Sequence, residues 1–232
     1  MDEILNCTGL TKKYGHLVAL DGLDLSVKKG QIIGLLGPNG SGKTTLIKLI
    51  AGLLKQNSGE LTVDGKKIGV ETKKIVSYLP ERTYIPNWMH VKDIIKMFED
   101  FYEDFNLEKA KSMLDGLSIN MNQRIKAMSK GTKEKLQLIL VMSREAQLYL
   151  LDEPIAGVDP AARDYILRTI ISNYNPEAAV IISTHLIQDI ETVLDDVIMI
   201  QNGHLKIHKT VHEIREENGM SVDALFREVF RC

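Results

Sequence analysis

Apolar and polar positions along this chain follow two periods. Leu23, Leu25 and Val27 alternate with Asp24 and Ser26, the period of two of a half-buried strand. Ile32-Ile33-Gly34-Leu35-Leu36, Leu148-Tyr149-Leu150-Leu151-Asp152 and Ala179-Val180-Ile181-Ile182-Ser183 are unbroken runs, as in strands buried on both faces. Ile4–Cys7 and Ile75–Leu79 also read as strands, and Tyr14 stands in the segment after the first. Other stretches keep a helical period. Leu46, Leu49, Ile50 and Leu53 share one face, as do Ile94, Ile95, Phe98, Phe101 and Tyr102 within 91–103. Asn106 caps a helix carrying Leu107, Ala110, Met113 and Leu114, and Ser129 opens another with Leu136, Ile139 and Leu140 inward. Asp64-Gly65 and Asn202-Gly203 mark hairpin turns, Pro160 starts a helix, and two short helices finish the chain. Strands alternating with helices predict an α/β fold with a mainly parallel sheet.

The candidate chemistry begins where the first buried run ends. Gly37-Pro38-Asn39-Gly40-Ser41-Gly42-Lys43-Thr44, followed by Thr45, meets every fixed position of the phosphate-loop pattern, between a predicted strand and a predicted helix. Glycines let backbone N–H groups curl around an anion, and the helix that follows adds the positive end of its dipole. Lys43 then reaches the terminal phosphates and the Thr44 hydroxyl takes a place on Mg²⁺. Leu148–Asp152 is the second anchor. An apolar strand ending in a carboxylate places Asp152 at the sheet edge beside that loop, as a metal-side acid, with Glu153 next to take or orient a proton from water.

Composition narrows the setting. A chain of 232 residues with 44% hydrophobic and 26% charged residues is an ordinary globule. The formal net charge of −2 gives no attraction to nucleic acid, which is not an expected partner. Two cysteines, Cys7 and Cys232, predict a reducing compartment rather than a disulfide framework. The acidic start carries no signal peptide, and no apolar run approaches the ~20 residues of a bilayer span, so the expected location is cytoplasmic. His204, His208 and His212 are spaced by four, but 204–207 reads as a strand, so the three do not share a helix face.

Beyond the two anchors the order of motifs resembles the ATP-binding subunit of ABC transporters over nearly the whole chain. Tyr14 matches the family's adenine-stacking aromatic, and Tyr78-Leu79-Pro80-Glu81 lies where the family has its Q-loop. Met128-Ser129-Lys130-Gly131-Thr132 stands at the Leu-Ser-Gly-Gly-Gln signature, Ala156-Gly157-Val158-Asp159 at the D-loop and Ser183-Thr184-His185 at the switch histidine. The resemblance implies one ABC ATPase domain over 1–232: a phosphate-loop core with an N-terminal antiparallel β portion (1–81 and 147–232) and a helical subdomain at 82–146. It implies ATP and Mg²⁺, the metal held by Thr44, Asp152 and Glu81, with Glu153 and His185 catalytic. Ser129, Lys130, Gly131 and Thr132 would face the ATP of an opposite subunit in a head-to-tail dimer, and Asp159 would be the D-loop aspartate.

Two departures stand out: Glu81 replaces the Q-loop glutamine, and Lys130 and Thr132 replace a glycine and the glutamine of the signature. The combination resembles the ATPase subunits of bacterial ABC-2-type exporters. The expected partners are a membrane permease, met through 82–110 and through Trp88 and Met89, and a second ATPase subunit, with a homodimer favoured over a heterodimer. The chain would then sit on the inner face of the cell membrane and power export. The rival reading is a soluble ABC ATPase acting on a ribosome or nucleic acid.

Overall fold

Valine, isoleucine and leucine fill the central strands because both faces of the main sheet are covered. The computed structural model describes residues 3–156 and 160–230. The chain opens with β1 (Glu3–Tyr14), β2 (Leu17–Lys28) and β3 (Ile32–Leu36), followed by α1 (Lys43–Ile50). β4 (Ser58–Val63), β5 (Lys66–Lys67), α2 (Val70–Ile75) and β6 (Val76–Leu79) come next, then α3 (Val91–Phe101), α4 (Leu107–Gly116) and α5 (Lys130–Met142). The remainder is β7 (Leu148–Asp152), α6 (Pro160–Asn173), β8 (Ala179–Ser183), α7 (Ile187–Ile190), β9 (Asp196–Gln201), β10 (His204–Thr210), α8 (Val211–Asn218) and α9 (Val222–Val229).

Six strands form a sheet in the order β10-β9-β3-β8-β7-β6, parallel except for β10. A four-stranded antiparallel sheet, β2-β1-β4-β5, lies apart from it. The pleat divides the core in two. Ile33 and Leu35 of β3 pack with α1 and the antiparallel sheet, whereas Ile32 and Leu36 face the cluster that includes α3, α4, α5 and α6. Both Asx-Gly turns adopt the left-handed backbone a tight hairpin requires, with Asn202 at φ 49° and Gly203 at φ 79°. Asn106 and Ser129 cap α4 and α5 through bonds from the Lys109 and Thr132 amides.

Three apolar residues depart from the sequence expectation. α1 ends at Ile50, so Leu53 falls in the following turn and is 59% exposed. Phe101 shares the angular face of Ile94 but is the last residue of α3, where the helix overhangs a groove, and it is 77% exposed. Met89 belongs to the core at 6% exposure, while its neighbour Trp88 points outward at 78%. Only Trp88 of that pair offers a free surface.

Arg144 joins the α3–α5 region to the main sheet and carried no sequence signal. Its guanidinium forks onto Asp104 with two bonds of 2.9 Å and donates to the Val76 and Lys74 carbonyls at 2.6 Å. It also stacks 4.0 Å from the Tyr102 ring centroid. Replacing a buried, paired guanidinium leaves an uncompensated carboxylate and orphaned carbonyls. Arg144→Met should therefore lower the unfolding free energy by about 3 kcal/mol, read from denaturant melts.

Candidate active site

The backbone of the phosphate loop is shaped by positions where a side chain would not fit. Gly37 sits at φ +155° with the Ile200 carbonyl against the space a Cβ would occupy, and Gly42 at φ +114° would bring a Cβ within 2.6 Å of the Ala19 carbonyl. Gly42 also precedes α1 without a side-chain cap, leaving the first-turn amides open to an anion. Lys43 folds back from α1 and donates to the Gly37 carbonyl at 2.7 Å and the Pro38 carbonyl at 3.2 Å. An ammonium has three donors, so one remains for a phosphate. Burial pulls the Lys43 amine below its usual value, and the nearby Glu153 and Asp152 charges oppose that shift.

Asp152 ends β7 as expected, and its Oδ1 accepts from Thr44 at 3.2 Å and from Ser183 at 2.7 Å. Its other oxygen, Oδ2, is buried with no hydrogen-bond partner among the described residues, and so is Ser41 Oγ. An orphaned buried carboxylate oxygen beside a threonine hydroxyl is an oxygen set that suits a hard divalent cation. Glu153 holds a left-handed backbone at φ 53°, which costs a non-glycine residue about 1–2 kcal/mol. Two bonds to its amide hold that turn, one to the Ser183 carbonyl at 3.0 Å and one to Ser183 Oγ at 3.1 Å. The Glu153 carboxylate then meets His185 Nδ1 at 3.0 Å. A carboxylate only accepts, so Nδ1 carries the proton and Nε2 is the remaining ring nitrogen.

Tyr14, Gly37 to Thr45, Glu81, Glu153 and His185 line one cavity of about 710 Å³. The signature residues do not reach it. Ser129 and Thr132 bond each other at the start of α5, Lys130 is exposed near Glu134, and Gly131 has open space around it. Asp159 lies outside the described residues. The sequence reading missed several contributors. Ser183 links Asp152 to the Glu153 turn, a role that a serine closing a strand does not announce. Leu17, Val18 and Ala19 rim the cavity beside Tyr14, and the unusual run of apolar residues opening β2 was the available sign. Phe226 and Phe230 of the C-terminal segment also line it, although their i, i+4 spacing reads simply as core.

A glycine-rich loop with its lysine, an acidic strand end and a hydroxyl bonded to it define a P-loop nucleotide-hydrolysing protein. The chain belongs to the ABC transporter family, whose model matches residues 20–156, more than half of its length. It is 36% identical over 216 residues to the uncharacterized ABC transporter ATP-binding protein YdbJ of Bacillus subtilis (strain 168), covering 88% of this chain and 68% of that one. The linearmycin resistance ATP-binding protein LnrL of the same organism is 29% identical, with 87% and 68% covered. Among solved structures, an ATP-binding subunit of an ABC transporter superposes with a TM-score of 0.88 at 26% identity, covering 98% of this chain and all of the other. The ADP conformation of another ABC transporter's ATP-binding cassette, at 23% identity, shares the fold with a TM-score of 0.79 over both full chains. The α/β fold with its antiparallel sheet is thus that of the ABC ATPases, and this chain is an ATP-hydrolysing member.

Burial lifts the Asp152 carboxyl above its usual value, against the Ser183 and Thr44 hydrogen bonds. With the folded value above the unfolded one, the carboxylate costs stability at neutral pH, and the cost fades as pH falls through the raised value. Nucleotide-free Asp152→Asn should melt above the native protein at pH 7, with the gap closing as pH falls through the raised value. Thermal melts at stepped pH check this.

Proposed function

We propose that the chain is the ATPase subunit of a membrane exporter, working as a homodimer on a separate permease at the cytoplasmic face. The observation that carries the catalytic part is the Glu153–His185 pair at 3.0 Å on the cavity that the phosphate loop also lines. Tyr14 supplies a face for the adenine, the loop amides and Lys43 grip the phosphates, and Glu153 takes or orients the proton of the attacking water. Water adds to the γ-phosphorus as the bond to the bridging oxygen breaks, and ADP leaves with that oxygen's electron pair. His185 is oriented by its Nδ1–H bond to Glu153, and in its doubly protonated form the Nε2–H would donate to the γ-phosphate. Mg²⁺ would be held by Thr44 and Asp152, with Glu81 nearby, and when bound it neutralises phosphate charge.

In the dimer, Ser129, Lys130, Gly131 and Thr132 would address the partner's ATP with the start of α5. That assignment agrees with their distance from the chain's own cavity. Ser129 and Gly131 of the signature are kept, Ser129 capping α5, and Lys130 in place of the first glycine adds a charge attractive to phosphate.

Transport is supported by the family and by a second cavity of about 690 Å³, where Tyr84, Met97 and the exposed Phe101 meet Leu53 and Lys73. This groove is where we place the permease, in keeping with no helix among the described residues being long and apolar enough to cross a membrane. Export is supported by the likeness to LnrL, since resistance to a toxic molecule is what an outward pump provides.

Glu153→Gln should cut phosphate release by about 10²-fold or more while ATP binding persists, whereas retained turnover would remove Glu153 from the mechanism. Tagged native protein, isolated in mild detergent, should retain a multi-span membrane protein. Phe101→Ser should release it at unchanged melting temperature, because Phe101 contributes little to the core. Retention of soluble factors or nucleic acid alone would overturn the transport reading.

A further inference from the structure

Val222, Leu225, Phe226, Val229 and Phe230 form one apolar stripe on the C-terminal segment, but only its first part is fully buried. Val222 and Leu225 are buried and anchor α9, whereas Phe226, Val229 and Phe230 remain partly exposed. The reason is position. The end of α9 packs against the edge of the core with one side and borders the cavity of the phosphate loop with the other, where Phe226 and Phe230 form part of the wall. Their rings lie 4.6 Å apart between centroids at 52°, a packed aromatic pair at the edge of a site otherwise made of amides, a lysine and carboxylates.

The same helix is tied to the segment that bears His185. Gln188, three residues on, donates from Nε2 to Asp223 Oδ2 at 2.9 Å, and Arg227 holds Asp223 at 2.9 Å within α9. Arg215 of α8 reaches Glu191 at 3.5 Å just beyond α7. The aromatic wall and the segment that follows His185 are thus held together by side-chain bonds.

We propose that Phe226 and Phe230 are nucleotide-retaining residues: they cover bound ATP on the side away from the phosphate loop, exclude water there and slow its release. The pair supplies no charge, so its contribution is contact area and a drier surrounding for the loop's electrostatic interactions. This rests on the ATPase reading of the same cavity.

The test is stopped-flow release of a fluorescent ATP analogue from the full chain, with hydrogen exchange of α9 in parallel. Phe226→Ala with Phe230→Ala should speed release on the order of tenfold, and the paired leucine variant should recover most of the loss. Native protein should gain exchange protection across 222–230 on adding nucleotide, at protein concentrations where it is monomeric. Unchanged release at unchanged melting temperature would overturn the proposal. So would protection that appears only as the protein dimerises, since a second copy would then cover the rings. If the double variant fails to fold, the native exchange result decides alone. Lys43→Ala separates the two readings: native protein that binds no nucleotide refutes the cavity's assignment, whereas binding lost only in Lys43→Ala leaves the aromatic result to be judged on its own.

Discussion

The buried carboxylate of Asp152 is the constraint on which the site depends. It closes β7 and accepts hydrogen bonds from Thr44, on the helix that follows β3, and from Ser183, at the end of β8. Three neighbouring parallel strands are thus registered on one acid at their C-terminal edge, where a parallel sheet with crossover helices leaves a crevice. The acid's second oxygen is left without a protein partner among the described residues, at a desolvation cost on the order of 1–3 kcal/mol. A fold keeps such a group when a ligand satisfies it.

Other costs gather at the same edge. Glu153 is held with a left-handed backbone, Lys43 is pulled below its usual value by burial, and Gly37 and Gly42 occupy conformations that exclude side chains. Each is opposed by a specific contact: Ser183 on the Glu153 amide, carbonyls on the Lys43 ammonium, and close backbone packing around the glycines. The site is preorganised because these groups are placed by the sheet rather than by one another.

Around this edge the molecule keeps two further connections. Arg144, held within the α3–α5 region by its bidentate bridge to Asp104, fastens that region to the Val76 carbonyl of β6 and the Lys74 carbonyl of α2, so the groove holding Phe101 and the strand leading to Glu81 belong to one packed unit. α9 does the same on the other side, linking Gln188 to the helix whose phenylalanines overlook the phosphate loop. These are physical routes by which binding at the cavity can reach surfaces where a partner would sit.

The sequence by itself determined the elements whose cause is local. The phosphate loop, the buried runs ending in Leu36, Asp152 and Ser183, the caps at Asn106 and Ser129, and the Asx-Gly hairpins all follow from backbone geometry or short-range hydrogen bonding. Their residue types therefore announce them. What only the tertiary structure decided depends on contacts between distant segments. Whether an apolar residue is buried turned on what lay beneath it: Phe101 and Leu53 kept helical spacing yet lie exposed, while Met89 in a loop is core. Arg144 looked like any helix-end cation until its partners came from β6 and from Asp104. Ser183 and the phenylalanines of α9 entered the site for the same reason. Chain segments far apart in sequence meet at one sheet edge, and periodicity along a single segment carries no record of that meeting.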